Sequence, residues 1–400
     1  MGAAHTRFLF IYNEVFMKLS LISKYRTHIM GFAILWIMWF HSPYTWKNEV
    51  LHFIHDIGFY GVDMFLLVSG LGLYFSMRKS KSIGEFYKKR AIRILPAYLI
   101  VTICWYTLYK PEVSFTDKLL SILGINYFRG NITSRPEYFD WFLPTLFVLY
   151  LLTPLYDKLF QKASVKWKFT LLCMTISPLL CIIFYHTGQQ VLYGSTVRIA
   201  VFLVGYWIGW FLYEKKTEDK ASWMVHLPLL FVGITLVYCI QKYIKNPTVF
   251  WGLNCYPALL VAPSLCVLLG GLFYLADKYL KVVGKILLFP FYICGKYSLE
   301  IYLFHQRIME IANGDKGAPI RNFLATKWHI NAFSPGYYFL IGIVSIILGA
   351  ALHELIALVT RLITKNGNKK KQTVTEESNQ TNAEEAVKDN IVPETKEATV

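Results

Sequence analysis

Four short stretches of the chain hold side chains that can do chemistry, in surroundings that make them expensive. His41 closes the apolar run GFAILWIMWFH, and an imidazole, titrating ordinarily near about 6.5, can give or take a proton at neutral pH. It fits a general base as well as an interfacial histidine bonded to a neighbour. In GKYSLEIYLFHQ, Ser298, Tyr302 and His305 stand at i, i+4 and i+7, so on a helix they share one face, with Glu300 nearly opposite beside Arg307. In FYKKRAIRILPAYL, Arg90 and Arg93 are three apart on one helix face. Their planar guanidinium forks suit phosphate, as an anion clamp, and equally suit membrane-surface anchoring. In GVDMFLLVSGLGLYFS, Asp63 precedes Ser69, Gly70 and Gly72. The glycines read as close helix contacts; Asp63 is either an interface residue or an acid that orients a histidine.

The elements that must position these residues are spanning helices. Hydrophobic residues make up 55% and charged residues 16% of the 400, against about 25% charged in ordinary globular chains. The 27 Tyr and 11 Trp suit the two membrane–water interfaces. A span needs about 20 mostly apolar residues, and ten such stretches are predicted, at 27–42, 58–77, 91–109, 141–157, 168–186, 196–214, 225–244, 255–275, 286–306 and 337–361. The expected fold is thus all-α and polytopic. A charge at the centre of a span costs roughly 2.5–3.5 kcal/mol, so the polar residues inside the spans are functional candidates. Arg198 and Asn254 join them as weaker ones, while His186, His226 and His353 sit near span ends, where solvated histidines are expected.

Charge sets the orientation. Basic clusters follow every second span: Arg78, Lys79, Lys88, Lys89, Arg90 and Arg93; Lys158, Lys162 and Lys166; Lys215, Lys216 and Lys220; Lys278, Lys281 and Lys285; and Arg361 with Lys369–Lys371. The positive-inside rule places these, and both termini, in the cytoplasm. The net charge of +16 is spent in these loops, which excludes nucleic acid as the expected partner; the bilayer is the partner instead. The segment 1–25 reads as a cytoplasmic N-terminal piece. Met1–Ser20 carries Glu14 and Lys18 and no small-residue cleavage site, so the first span is expected to remain. Residues 362–400 are polar and read as a disordered cytoplasmic tail. The seven cysteines are scattered without a C-x-x-C pair, so neither a disulfide framework nor a metal site is expected. Asn131-Ile132-Thr133 is a formal glycosylation triplet.

In order, GFAILWIMWFH, GVDMFLLVSG, KKRAIRILPAYL and YSLEIYLFH resemble the family of integral-membrane type 3 acyltransferases, over roughly 26–361. Members O-acylate surface polysaccharides and lipopolysaccharide antigens. The resemblance implies a ten-helix acyltransferase domain, acetyl-CoA as donor, a cell-envelope saccharide as acceptor and a bacterial inner-membrane location. Carried onto this chain, it makes His41, Asp63 and His305 the catalytic candidates. Arg90 and Arg93 become the donor-phosphate ligands, and Ser69, Ser298, Tyr302 and Glu300 the cavity-lining residues. Members commonly carry an Arg eleven residues before the first-helix His; here that place holds Met30, and Arg26, one turn earlier, is the substitute to test.

The competing reading is a transporter or flippase for a lipid-linked saccharide, and a third is a non-catalytic scaffold of envelope synthesis. A transporter needs no thioester chemistry and is expected to show inverted pairs of broken helices, a pattern the sequence lacks. A scaffold would tolerate loss of both His41 and Arg93.

Overall fold

The computed structural model describes residues 16–129, 141–215, 219, 221–246 and 252–389, with side chains described from 18 to 362. The glycosylation triplet and the loop lysines Lys216 and Lys220 lie outside the described residues. The chain divides into two units, residues 1–350 and 351–400.

Unit 1 is helical. The elements used below are α1 (Arg26–His41), α2 (Glu49–Asp56), α3 (Tyr60–Lys79), α4 (Ile83–Cys104, continued by a π-turn to Tyr109), α5 (Phe142–Lys162), α6 (Lys166–Met174), α7 (Ile176–His186), α8 (Ile199–Glu214), α9 (Trp223–Tyr243), α10 (Ala258–Tyr279), α11 (Lys281–Lys296), α12 (Ser298–Asn313) and α13 (Pro335–Asp389). Among the described residues, eight helical stretches are long and apolar enough to cross a membrane: 60–79, 83–109, 142–162, 166–186, 190–214, 223–243, 258–279 and 335–362. The protein is therefore an integral-membrane one, as its composition predicts.

The two remaining predicted spans differ from expectation. The first is α1, 16 residues long, which at 1.5 Å per residue reaches only about 24 Å of a ~30 Å core. The stretch predicted as one span over 286–306 is two helices, α11 and α12, bent by 78° at Tyr297. Gly295 lies against the Thr27 carbonyl and Gly31 against the Phe291 carbonyl, both so close that a Cβ would overlap the backbone oxygen. Small residues thus press α11 onto α1, the close approach that glycine permits between membrane helices.

A second glycine seam holds the centre. Gly205 and Gly209 of α8, a G-x-x-x-G pair, meet the carbonyls of Leu67 and Leu71, while Gly70 meets that of Phe202. This makes α3 the most enclosed helix, with Tyr60, Leu66, Leu67 and Tyr74 fully buried. At its far end Arg78 is ion-paired with Asp157, which also accepts from the Tyr206 hydroxyl at 2.6 Å, while the Arg78 Nε is left without a hydrogen-bond partner. The outward faces of α6, α7 and α9 are apolar, with Leu172, Ile182 and Phe231 more than half exposed, as a lipid contact requires.

Loops sort to two ends. Phe16–Met17 pairs antiparallel with Ala221–Ser222, Phe16 opposite Ser222, and Ser20 hydrogen-bonds Asp219. Tyr25 donates to Asp277 at 3.0 Å. The start of α1 and the segments after α8 and at the end of α10 therefore share one end, the basic one. Lys110 pairs with Glu310 at 2.7 Å at the other. In unit 2 the backbone of 351–389 is helical; the segment expected as a polar tail begins at 362. Its lysines, glutamates and alanines favour helix, and no proline falls before Pro393.

Candidate active site

The crossing of α1 with the α11–α12 elbow delivers two histidines to one point. His41 is the last residue of α1 and His305 lies midway along α12, 1% exposed. His41 Nδ1 is 2.9 Å from the Ile37 carbonyl oxygen and 3.1 Å from His305 Nε2. A carbonyl only accepts, so the hydrogen sits on His41 Nδ1. The same argument applies to His305, whose Nδ1 stands 2.7 Å from the Tyr302 carbonyl and therefore carries its own hydrogen. His305 Nε2 is then a bare lone pair. The set closes without conflict when the His41 Nδ1–H is shared between Ile37 and His305, a three-centre bond of the kind common at helix ends. His41 Nε2 is left as a lone pair, with no hydrogen-bond partner among the described residues.

On the His305 side of this pair the walls are apolar; His41 itself is not among the residues that line them. His305 lines a cavity of about 510 Å³ together with Leu35, Met38, Trp39, Trp46 and Met309, within the size range of small-molecule sites. The indole nitrogens of Trp39 and Trp46 are buried without a partner. Composition marked these tryptophans only as interface residues; their place at the cavity follows from the chain turning back after Ser42, which no local pattern announced.

Asp63 is not at the histidine pair. It is fully buried, and its nearest charge is Arg198, Nε to Oδ1 at 3.5 Å. That guanidinium lies over the Trp141 ring at 4.7 Å and donates to the Gly194 carbonyl at 2.6 Å. The structure thus assigns Asp63 to a buried ion pair between α3 and the start of α8, and the expectation that it orients His41 finds no contact to rest on. An acid four residues into a helix whose partner lies 135 positions away carries no local signal of which of the two roles it takes.

The four residues expected to line a cavity are not among those around the 510 Å³ one. Ser298, Glu300 and Tyr302 are buried in the packing of α12, and Ser69 of α3 is half-buried. Tyr302 still serves the pair, because its carbonyl accepts from His305 and its ring sits 5.3 Å from that imidazole.

At the opposite end of α1 the arginines gather. Arg26 is within electrostatic reach of Arg90 and Arg93. Its guanidinium rests on Gly72, close enough that a Cβ there would press on it. Arg90 donates to Ser76 Oγ at 3.0 Å, and its Nε is buried without a partner. Arg93 is exposed. Among the described residues none of the three is in an ion pair with a carboxylate. Three uncompensated cations sharing one end form a ready anion site. Arg26, one turn before Met30, shares that end with Arg90 and Arg93.

The two centres are tied to one element. The fifteen steps from Arg26 to His41 at 1.5 Å each separate them by roughly 22 Å. This is a polytopic integral-membrane protein with a histidine pair, half-buried His41 and buried His305, toward one end of a helix and a cluster of three arginines at the other. Residues 29–354 match the acyltransferase domain of the type 3 family, and the chain belongs to that family. It is an acyltransferase, which removes the transporter and scaffold readings. No curated protein and no solved structure matches the chain.

Proposed function

We propose that this enzyme moves an acyl group, acetyl in the first instance, from acyl-CoA on the cytoplasmic side to a hydroxyl of a cell-envelope saccharide on the outer side of a bacterial inner membrane. The observation that carries the reading is the His41–His305 contact, which leaves His41 Nε2 as a free base. The phosphates of the donor rest on Arg26, Arg90 and Arg93, and its thioester extends along α1 toward His41. The acceptor hydroxyl attacks the thioester carbonyl as His41 Nε2 takes its proton. The new ester C–O bond forms, the C–S bond breaks, and the proton passes to the departing CoA thiolate. His305 accepts from His41 Nδ1–H and Ile37 holds it as well, so the ring presents Nε2 and no other atom. A polarised Nδ1–H also steadies the imidazolium that forms in the transition state. Direct attack by His41 Nε2 on the thioester, with a transient acyl-imidazole, uses the same geometry.

The reading is tested with purified protein in nanodiscs, radiolabelled acetyl-CoA and envelope glycans. Label is expected on glycan with wild type and not with His41→Ala. Replacing Arg90 and Arg93 by Ala is expected to raise KM for acetyl-CoA with little change in KM for the glycan. Normal turnover by His41→Ala removes the assigned base; unaltered donor affinity in the double arginine variant leaves those residues as membrane anchors only.

A further inference from the structure

We propose that His52, His55 and Asp56 form a site for one divalent transition-metal ion, zinc in particular, on the loop helix α2, beside the His41–His305 pair and built from other residues. The cysteine pattern predicts no metal site; this one is built from imidazole and carboxylate. The three residues stand at i, i+3 and i+4 of an eight-residue helix capped by Asn48, so they share a face. One ligand atom from each lies within 4.8 Å of the others. His55 Nδ1 is 2.8 Å from Asp56 Oδ1, and His52 Nε2 is 3.5 Å from Asp56 Oδ2. Zinc–ligand bonds of about 2.0–2.2 Å put neighbouring tetrahedral ligands roughly 3.3 Å apart, so small side-chain movements complete the set.

The strongest argument is the orientation of His55. Its Nε2 is 2.9 Å from the Ser42 carbonyl, an acceptor, so Nε2 carries the hydrogen. Nδ1 is then a lone pair, and it is aimed at a carboxylate oxygen. In the neutral ring two electron-rich atoms then face one another at hydrogen-bond distance, and a metal ion that takes both as ligands, parting them to roughly 3.3 Å, resolves the contact. A histidine that donates its second ring N–H to a backbone carbonyl is the arrangement that fixes tautomer and orientation in metal sites. The anchor ring is sheltered, with 10% of the His55 side chain exposed, while Asp56 keeps 40% and His52 46%, so the ion has an anchored ligand and an open entry. The two imidazole planes are nearly parallel, 18° apart. Three protein ligands leave the fourth position to water. The carbonyl that orients His55 belongs to Ser42, the residue after His41, so a bound ion tightens the loop that follows the histidine pair.

The experiment uses the full chain in nanodiscs, stripped with chelator, with zinc titrated against a chromophoric chelator. One equivalent is expected to bind wild type, and His52→Ala and Asp56→Asn are each expected to weaken it at least about tenfold. Zinc is also expected to raise the melting temperature of wild type, by preferential binding to the folded state, and not that of His52→Ala. Both side chains are partly exposed, so the metal-free variants should melt with metal-free wild type. Zinc affinity unchanged in both variants overturns the site. So does failure to bind zinc at all, in which case a proton on His55 Nδ1 resolves the contact with Asp56.

Discussion

If His305 works only through His41, removing it alone and removing it together with His41 must give unequal penalties. His305→Phe keeps an aromatic ring beside the 510 Å³ cavity and deletes the lone pair that accepts from His41 Nδ1 at 3.1 Å. One net hydrogen bond is about 0.5–1.5 kcal/mol, and 1.36 kcal/mol is tenfold in rate. The expected loss is therefore about two- to twelvefold in kcat, with KM for both substrates little changed. The bond to Ile37 at 2.9 Å still holds the tautomer, which is why the loss is no larger. His41→Ala removes the base itself and is expected to cost roughly 10²–10⁴-fold. The double variant should fall no further than His41→Ala, because a positioning residue has nothing left to position. Initial rates of acyl transfer in nanodiscs measure all four enzymes, with elution profile and melting as checks on folding. Additive losses, the double variant lower than His41→Ala by the full His305→Phe factor, would falsify the positioning role. A His305→Phe loss as large as that of His41→Ala would make His305 a proton carrier in its own right.

Three further outcomes are expected. Asp63→Asn should destabilise the protein, because Arg198 is 4% exposed and breaking a buried pair costs about 3–5 kcal/mol; kcat per folded molecule should hold, and a fall in kcat without loss of melting temperature would return Asp63 to the chemistry. Gly295→Val should lose the folded state or displace His305, since its side chain would overlap the Thr27 carbonyl; a normal melting curve with normal activity would show that the α1–α11 contact is looser than described. Lys110 has its pKa raised above 10.5 by its hydrogen bond to Glu310, so the pair contributes stability below pH 10.5 and loses it as the pH climbs through the folded value. Lys110→Met should therefore flatten the alkaline arm of the melting-temperature profile, and an unchanged arm would mean the pair contributes nothing there.

Apolar length marked the spans clearly, and helices occupy all ten predicted stretches, because burying about 20 apolar residues in lipid leaves the backbone one solution. What hydropathy could not convey is interruption. The stretch over 286–306 has the composition of one span, yet it breaks by 78° at Tyr297. Just before the break, two glycine contacts set α11 on α1, about 260 positions away in sequence. Gly31 and Gly295 look like any of the chain's 25 glycines until the partner backbone is in view.

The site divides along the same line. The histidines were legible because each ends an apolar run where a neutral residue would be cheaper, and the arginine pair because of its three-residue spacing. Their relations were not legible. His41 and His305 are 264 positions apart, and only the elbow at Tyr297 turns α12 so that a residue midway along it reaches the end of α1. Asp63 shows the converse. Its type and its place near the end of a span suited a histidine-orienting acid, but a buried carboxylate goes to whichever cation can share its desolvation, and the full charge of Arg198 answers that need better than an imidazole does. Once Asp63 is taken by Arg198, the orienting of His41 falls to neutral acceptors, the Ile37 carbonyl and His305 Nε2. A neutral pair does not hold a proton on His41 as a carboxylate would, and in the proposed mechanism, where His41 returns its proton to the departing thiolate, that weaker hold favours turnover.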